Sequence, residues 1–297
     1  MAGQAGGIAA RYWVTGPGHN AARGAGRRAA AWLDGGVRIA TWNVNSVTAR
    51  LPRLVEWLEQ VAPDVACLQE TKVSDDAFPA GSVTPLGYEV AQHGTGRWNG
   101  VAVLSRVGLT DVARGLPGDP GFPDASMPEA RTLAATCGPV RVRTVYVPNG
   151  RAPDDPHYAY KLRWLAALTK AVAGDASGGQ PFALMGDFNV APKDDDVWDP
   201  AAFVGSTHVT PDERAALAVL RDTGLADVVP RIAKGPFPFT YWDYRAGAFA
   251  KNMGMRIDLV YANAALARSV TDAWVDRETR KGKGPSDHAP VIVDLSL

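Results

Sequence analysis

Several short apolar runs in this chain end abruptly in polar side chains, a pattern that predicts strands whose ends carry chemistry. Residues 37–43 alternate apolar and polar positions, as in a half-buried strand, and end in a cluster rich in asparagine. The apolar positions of residues 51–61 share one helix face. A second strand, 65–68, then runs directly into polar residues that include Glu70. Together these segments predict a strand, helix, strand unit with amide and acid groups at the strand ends.

The run Phe182–Met185 predicts a short interior strand, and it stops at Gly186. Asp187 and Asn189 follow two residues apart, so on an extended chain both side chains point the same way. A carboxylate and a carboxamide on one face are able to position and deprotonate a water molecule. Ordinary turn chemistry, in which Gly, Asp and Asn are common, is the alternative interpretation.

Other segments show the apolar spacing of a helix or the apolar run of a strand. Thr210, followed by proline and by glutamate three residues on, is typical of a helix start, and we expect that helix to run to Gly224. Another helix is predicted from about His157. The remaining strand predictions are 88–91, 100–105, 131–136, 140–147, 255–261 and 291–295.

Two acidic positions and one histidine are candidates for the same chemistry. Asp258 lies inside the apolar strand 255–261, where an unpaired acid costs several kcal/mol, so it should have a hydrogen-bonded partner. His288 follows Asp287 at a strand entrance, and Asp258 is able to hold its imidazole in one tautomer and keep it protonated. A chance loop pair is the alternative. Glu70 is either a solvated loop residue or a ligand of a hard cation such as Mg²⁺.

Three loops carry charges. Arg97 beside Trp98 is able to press against a phosphodiester backbone, although an exposed loop with a packed tryptophan is the preferred interpretation. Arg245, at the end of an aromatic-rich segment, is a second candidate for phosphate contact. Residues 193–196 are predicted to be a solvated acidic loop.

Length and composition favour one large domain. The chain has 297 residues, of which 46% are hydrophobic, and a formal net charge of zero. A surface built entirely to hold nucleic acid is therefore excluded, but a local basic patch is not. Residues 1–36 contain four arginines and one acid among many alanines and glycines. We expect them to form a disordered tail, with the folded domain at 37–297.

The two cysteines, Cys67 and Cys137, lie in apolar runs without metal-site spacing and predict small buried hydrophobes. No window approaches 18 consecutive apolar residues, so we expect no membrane contact and a cytoplasmic location.

Six short motifs occur in the order and spacing of one family. The chain resembles exodeoxyribonuclease III, the abasic-site endonuclease branch of the endonuclease/exonuclease/phosphatase superfamily, from about Val37 to Leu297. The resemblance implies a four-layered α/β sandwich, with two mixed sheets packed face to face and helices outside. The motifs are residues 41–45, 68–72, 146–150, 186–189, 256–258 and 286–290.

The resemblance also implies residue roles. Glu70 would bind Mg²⁺, with Mn²⁺ as an alternative ion, and Asp187 would orient or deprotonate the attacking water with help from Asn189. His288, paired with Asp258, would hold a phosphate oxygen. Further metal contacts would come from Asn43, Asn45 and Asp287, and further phosphate contacts from Tyr146 and Asn149. Arg97 and Arg245 stay candidates for DNA contact because of the loops that carry them.

By similarity, an apolar pocket for a flipped-out abasic sugar falls at Tyr241, Trp242, Met255 and Ile257, although core packing is the alternative for the two aromatics. The implied function is incision 5′ of abasic sites in duplex DNA, with 3′-phosphodiesterase and 3′-to-5′ exonuclease activity on blocked ends, by a monomer. The alternatives are a phosphoesterase for a small molecule or lipid and a non-catalytic DNA-binding relative. The latter should have lost Glu70, Asp187 or His288, which are all present.

Overall fold

The structure is a computed structural model that describes residues 36–123, 127–232, 235 and 237–297. Of the tail predicted at residues 1–36, only Gly36 belongs to the described residues, and it begins the first strand. Within this part of the chain, no helix is long and apolar enough to cross a membrane.

The described residues form twelve strands. In chain order they are β1 (Gly36–Asn43), β2 (Val65–Gln69), β3 (Glu89–His93), β4 (Val101–Ser105), β5 (Thr110–Arg114), β6 (Thr132–Cys137), β7 (Val140–Tyr146), β8 (Phe182–Asp187), β9 (Ala226–Asp227), β10 (Asp258–Ala262), β11 (Val270–Val275) and β12 (Val291–Ser296). They make two mixed six-stranded sheets, with the orders β11-β12-β1-β2-β4-β3 and β5-β6-β7-β8-β10-β9.

Each sheet contains one parallel strand pair, and these two pairs place the site. β1 pairs parallel with β2, with Asn43 opposite Gln69 at their ends. β7 pairs parallel with β8, with Tyr146 opposite Asp187. Because parallel strands end at the same edge of a sheet, each pair delivers polar side chains to one edge.

Six helices are described: α1 (Val47–Val61), α2 (Ala80–Val83), α3 (Pro156–Ser177), α4 (Pro211–Arg221), α5 (Ala248–Lys251) and α6 (Ala264–Ala267). The predicted start of α4 is confirmed. The Thr210 hydroxyl accepts from the backbone N–H of Glu213, whose carboxylate accepts from the N–H of Thr210, a capping box.

The core lies in layers. Apolar side chains from both sheets, such as Ile39 and Val260, form one buried cluster between the sheets. Leu58 of α1 packs on the outer face of the first sheet, and Leu168 of α3 and Leu217 of α4 pack on the outer face of the second. The order of layers is helix, sheet, sheet, helix, so the predicted four-layered α/β sandwich is confirmed.

Of the four edge strands, the sequence pattern predicts only β3; β5, β11 and the two-residue β9 are missed. All five residues of β5 are exposed, so no buried face marks them as a strand. A bulge between Val270 and Asp272 interrupts β11 where it pairs with β12. Edge strands with one neighbour need no alternating apolar pattern, which explains these omissions.

The loop at residues 193–196 also differs from expectation. The prediction of a solvated loop is wrong for Asp196, which is buried. The Arg256 guanidinium, itself fully buried, donates to Asp196 at 2.6 Å and to Asp227 at 3.0 Å. The strand predicted at 255–261 begins only at Asp258. Met255, before it, forms isolated bridges with Val197 and Tyr241. This ion-paired segment supports one wall of the site.

Candidate active site

The ends of both parallel strand pairs meet around one cavity of about 160 Å³. Its lining contains most of the polar residues that the sequence singles out, although they come from distant parts of the chain. The lining residues are Glu70, Tyr146, Asn149, Asp187, Asn189, His208, Tyr241, Met255, Ile257, Asp287 and His288.

Asn43 joins the two sheets at the base of this cavity. Its side-chain Nδ2 donates to Glu70 Oε1 at 2.8 Å and to Asp187 Oδ2 at 2.8 Å. Its Oδ1 accepts from the backbone N–H of Asn45 at 2.9 Å. In this arrangement Asn43 spaces and orients two carboxylates and directs its own oxygen away from them.

Asp187 is almost fully buried, and its environment favours the neutral acid. Burial is the largest effect and, with the nearby Asp258 and Glu70, outweighs the opposing charge of His288, raising the pKa of Asp187 to about 7. A carboxylate whose pKa lies near neutral pH is suited to accept a proton from water.

His288 and Asp258 form the pair expected from the sequence. His288 Nδ1 lies 2.8 Å from Asp258 Oδ2, and Nε2 lies 3.8 Å from Asp187 Oδ2. Burial alone would lower the pKa of His288, but Asp258 and Asp187 raise it to about 10. The imidazole is therefore a cation at neutral pH, and it faces the cavity.

Asn45 and Lys72 contact two of the acids that line the cavity, Asp287 and Glu70. Asn45 Nδ2 donates to Asp287 Oδ1 at 3.0 Å, and its Oδ1 accepts from Lys72 Nζ at 2.5 Å. Lys72 also lies 2.7 Å from Glu70 Oε2. Burial would raise the pKa of Glu70, but Lys72 and the amide of Asn43 outweigh it and hold that pKa below the usual value. Glu70 is therefore an ionised carboxylate.

The donor set fits a hard divalent cation. Glu70, Asp187 and His288 each offer one atom, and these atoms lie within 4.8 Å of one another. Protonated His288 has no free lone pair, which leaves carboxylate oxygens as the ligands, and Mg²⁺ and Mn²⁺ prefer such oxygens. Glu70, with Asp287 lining the same cavity, is the residue best placed to hold the ion.

Asn189 and Asn149 also line the cavity and are hydrogen-bonded to each other. Asn189 accepts at Oδ1 from Asn149 Nδ2 at 3.2 Å, and its own Nδ2 donates to the carbonyl of Val147 at 3.0 Å. The backbone N–H of Asn189 donates to Asp187 Oδ1 at 2.9 Å. Asp187 is thus held at both oxygens by neighbours, which fixes its direction.

Comparison with known proteins agrees with this geometry. The profile of the Endonuclease/Exonuclease/phosphatase family matches residues 40–288, most of the chain. The chain belongs to this family. Exodeoxyribonuclease III of Haemophilus influenzae is 30% identical over 270 residues, which cover 87% of this chain and 100% of that protein. The resemblance inferred from the six motifs is confirmed.

Two solved structures share the family fold. A 3′ phosphatase from Neisseria, bound to a product DNA hairpin, is 38% identical with a TM-score of 0.82. An AP endonuclease from Archaeoglobus fulgidus is 33% identical with a TM-score of 0.81. Each comparison covers 88% of this chain and 100% of the other.

Six of the predicted site residues do not line the cavity. Asn43, Asn45 and Asp258 form side-chain hydrogen bonds with residues that do line it, and the other three lie in different surroundings. Trp242 is 0% exposed and packs edge-on against Phe249, so its predicted place in a sugar pocket is corrected to a core position. Arg245 is exposed and pairs with Asp243 beside it. Arg97 lies on the exposed loop before β4. Trp98 beside it was expected to be packed, but its side chain is 76% exposed. Aromatic content alone does not separate core from cavity.

His208 lines the cavity, although the sequence analysis did not single it out. Its Nδ1 lies 2.5 Å from the carbonyl of Asn189, and its backbone φ is 79°, a left-handed value that is rare for a side chain of this size. Burial, followed by the charge of Lys161, lowers the pKa of His208 to about 4. No spacing rule links it to Asp187, and its only signal is that it is one of five histidines.

Folding stability is expected to fall between pH 8 and pH 5 because of His208. Below pH 6.5 an unfolded chain binds a proton there, whereas the folded chain does not until about pH 4. Because only the unfolded chain binds this proton, the free energy of unfolding is lower by about 2 kcal/mol at pH 5 than at pH 8. Urea unfolding of wild type and His208→Asn at both pH values measures this, since asparagine tolerates a positive φ. An equal loss in both proteins would show that His208 does not contribute.

Proposed function

We propose that this protein is a Mg²⁺-dependent DNA repair phosphodiesterase that cleaves duplex DNA 5′ of abasic sites and removes blocking groups from 3′ ends. One observation carries the proposal. Two carboxylates, Glu70 and Asp187, share the amide of Asn43 on one side of the cavity, and the protonated His288–Asp258 pair lies beside them. A metal ligand, a base for water and a phosphate-binding cation thus surround one small space.

Asp187 supplies the base. Its carboxylate takes a proton from water while the N–H of Asn189 and the amide of Asn43 keep its oxygens in place. The side-chain amides of Asn189 and Asn149 line the same space and are able to orient that water and a phosphate oxygen. Mg²⁺ bound at Glu70 would neutralise charge on the phosphate and on the leaving 3′ oxygen.

His288 and Tyr146 stabilise the phosphate. The imidazolium of His288 donates toward the cavity through Nε2, because Asp258 holds Nδ1. Burial and the nearby Glu70 raise the pKa of Tyr146 well above its usual value, so its phenol stays a neutral donor. Donors aimed at the developing charge in a water-poor site contribute strongly to the rate.

The substrate side of the cavity is apolar. Tyr241 packs its ring 4.9 Å from the ring of His288, and Met255 and Ile257 form the adjoining wall. A sugar without a base is the part of DNA that flips out at least cost, and an apolar wall accepts it. The related structures are named as an AP endonuclease and as a 3′ phosphatase with product DNA, which supports DNA as the substrate here.

The test is incubation of the purified protein with a duplex that carries one internal abasic site, with Mg²⁺ and with a chelator. Incision on the 5′ side in Mg²⁺ alone supports the proposal. An intact duplex, with phosphate released from a small ester, would leave the family assignment in place and remove DNA as substrate. We also propose that the protein is a monomer located in the cytoplasm. Gel filtration tests the oligomeric state, and cell fractionation tests the location.

A second candidate function, preferential processing of 3′ ends, is favoured by His208. His208 lines the same cavity as Met255 and Ile257, and its imidazole lies against the main-chain carbonyl of Asn189. A side chain of this size in a cavity of about 160 Å³ reduces the room for a flipped-out sugar, whereas a terminal 3′ phosphate does not need to be flipped. The relative from Neisseria, named as a 3′ phosphatase, agrees with this alternative.

The His208→Asn variant separates the two candidates. If the imidazole restricts the sugar, the rate at an internal abasic site should rise about tenfold relative to removal of a 3′ phosphate, since small changes in pocket fit have such effects. The rates are measured on two duplexes of the same sequence. An unchanged ratio, with wild-type incision at the abasic site, would show that His208 leaves room for the sugar.

The loop with Arg97 and Trp98 is proposed to contact DNA beside the cavity. Its carbonyls at Asn99 and Gly100 accept from the backbone N–H groups of Lys72 and Thr71, directly after Glu70. The loop therefore lies on the rim of the site.

Trp98→Ala is expected to weaken binding to an abasic-site duplex by about 1 to 3 kcal/mol, the size of a stacking contact with an unpaired base such as the one opposite the abasic site. Arg97→Ala should reduce the slope of log affinity against log salt concentration by about one, the value expected for one lost phosphate contact. Fluorescence anisotropy over a salt series measures both effects, with Val112→Ala on edge strand β5 as the control. Equal affinity for Trp98→Ala and wild type would place the DNA elsewhere.

A further inference from the structure

A fully buried lysine lies behind the two asparagines of the cavity. Lys161, in α3, is 0% exposed and reaches the main-chain carbonyl of Asn189 at 2.7 Å and that of Asn149 at 3.1 Å. These carbonyls belong to two separate loops, one after β7 and one after β8. One ammonium group thus ties together the backbones of both loops.

Glu213 neutralises this lysine and extends the network to a third segment. Its side chain is also 0% exposed and forms a short ion pair with Lys161. Oε1 accepts from the hydroxyl of Thr207 at 2.7 Å and from the N–H of His208 at 3.0 Å. The carbonyl of Asn149 lies 3.1 Å from the same hydroxyl oxygen, so the single hydroxyl hydrogen of Thr207 is shared between these two acceptors. These bonds attach the start of α4 to the two loops that Lys161 binds.

Two residues held by this network have an unfavourable backbone. Asn189 has φ 51° and His208 has φ 79°, both in the left-handed region. Such conformations cost about 1 to 3 kcal/mol and persist only where surrounding contacts enforce them. Lys161 binds the carbonyl of Asn189, and Glu213 binds the N–H of His208, so the ion pair supplies such contacts at both positions.

We propose that Lys161 is a positioning residue, which, with Glu213 as its counterion, holds Asn149 and Asn189 in the orientation needed for phosphodiester hydrolysis. The inference rests on the proposed function and deepens it. Lys161 has no exposed atom, so it acts only through the loops that it binds. Packing alone does not require the pair, because apolar residues of similar volume often replace a buried ion pair without loss of stability.

The experiment uses this difference between stability and positioning. The double variant Lys161→Met/Glu213→Gln approximately keeps the volume of both side chains and removes both charges together. Glutamine retains a side-chain oxygen for the N–H groups that Glu213 caps, those of His208 and Thr210. Its melting temperature should lie within a few degrees of wild type, while kcat falls about 10- to 100-fold, because small displacements of positioning groups have effects of that size. KM should change less than about threefold, since the donors remain in the cavity. Arg38→Met/Asp294→Leu, an ion pair between β1 and β12, is the matched control.

The outcomes are distinct. A stable double variant with wild-type kcat would overturn the inference and leave the proposed function intact. A wild-type protein that cleaves neither abasic nor 3′-phosphate duplexes would contradict the proposed function itself. If the double variant unfolds, Thr207→Val provides the same test, since it removes one hydroxyl donor to Asn149 without changing volume. A lower kcat at unchanged melting temperature then supports the inference, and an unchanged kcat overturns it.

Discussion

An Asp187→Asn variant is expected to cleave DNA about 10² to 10⁴ times more slowly than wild type, the range found when a positioned general base is lost. Asp187 is the buried acid whose oxygens are both held, by Asn43 and by the backbone of Asn189. Its pKa of about 7 suits proton transfer near neutral pH. Asparagine keeps the shape but does not accept a proton from water. Single-turnover cleavage at saturating Mg²⁺ measures the effect on the chemical step.

Two controls accompany this variant. Asp195→Asn changes an exposed acid after β8 and should leave the rate unchanged. The melting temperature of Asp187→Asn shows whether a donor now facing Asn43 or Asn189 weakens the fold, because a buried unsatisfied group costs about 1 to 3 kcal/mol. A folded variant that retains more than about a tenth of the wild-type rate would mean that another group accepts the proton.

The second large effect is expected for metal binding. Glu70→Gln should raise the Mg²⁺ concentration needed for half-maximal rate at least about tenfold, because a hard cation loses a charged oxygen ligand. The change keeps an oxygen for the amide of Asn43 but removes the charge that pairs with Lys72. A chelator should abolish wild-type activity, and added Mg²⁺ or Mn²⁺ should restore it. Titration of the cleavage rate with each ion measures the shift.

Glu89→Gln, an exposed acid on β3, is the matched control for Glu70→Gln. If Glu70→Gln has the same Mg²⁺ dependence as wild type, the ion is held elsewhere in the cavity and Asp287 becomes the residue to test. Direct calorimetric titration of Mg²⁺ into both proteins without DNA distinguishes weaker ion binding from slower chemistry.

The position of the site could be predicted from the sequence because strand ends are local features. Asp187 and Glu70 each follow an apolar run, and the structure brings both to one cavity. The need of Asp258 for a partner follows from the cost of burying a lone acid, and His288 supplies that partner. Six short motifs in the order and spacing of one family identified that family, which no single motif would have shown.

The remaining features depend on tertiary contacts that leave little trace in sequence. Asp196 looks like one of several solvated acids, yet Arg256, far along the chain, draws it into the interior. Trp242 and Tyr241 are neighbours of the same chemical type, but only Tyr241 reaches the cavity. His208 enters the site through a left-handed turn held by Glu213, which periodicity does not reveal.

The position of β12 has a consequence for the order in which the chain becomes active. β1 lies between β2 and β12, so the first sheet stays incomplete until the last strand has been synthesised. His288 lies three residues before β12, and its carbonyl accepts from the indole of Trp42 beside Asn43. A nascent chain on the ribosome, although it already carries Glu70 and Asp187, therefore lacks an assembled site. Cleavage at this site therefore begins only after His288 and β12 have been synthesised and β12 has paired with β1.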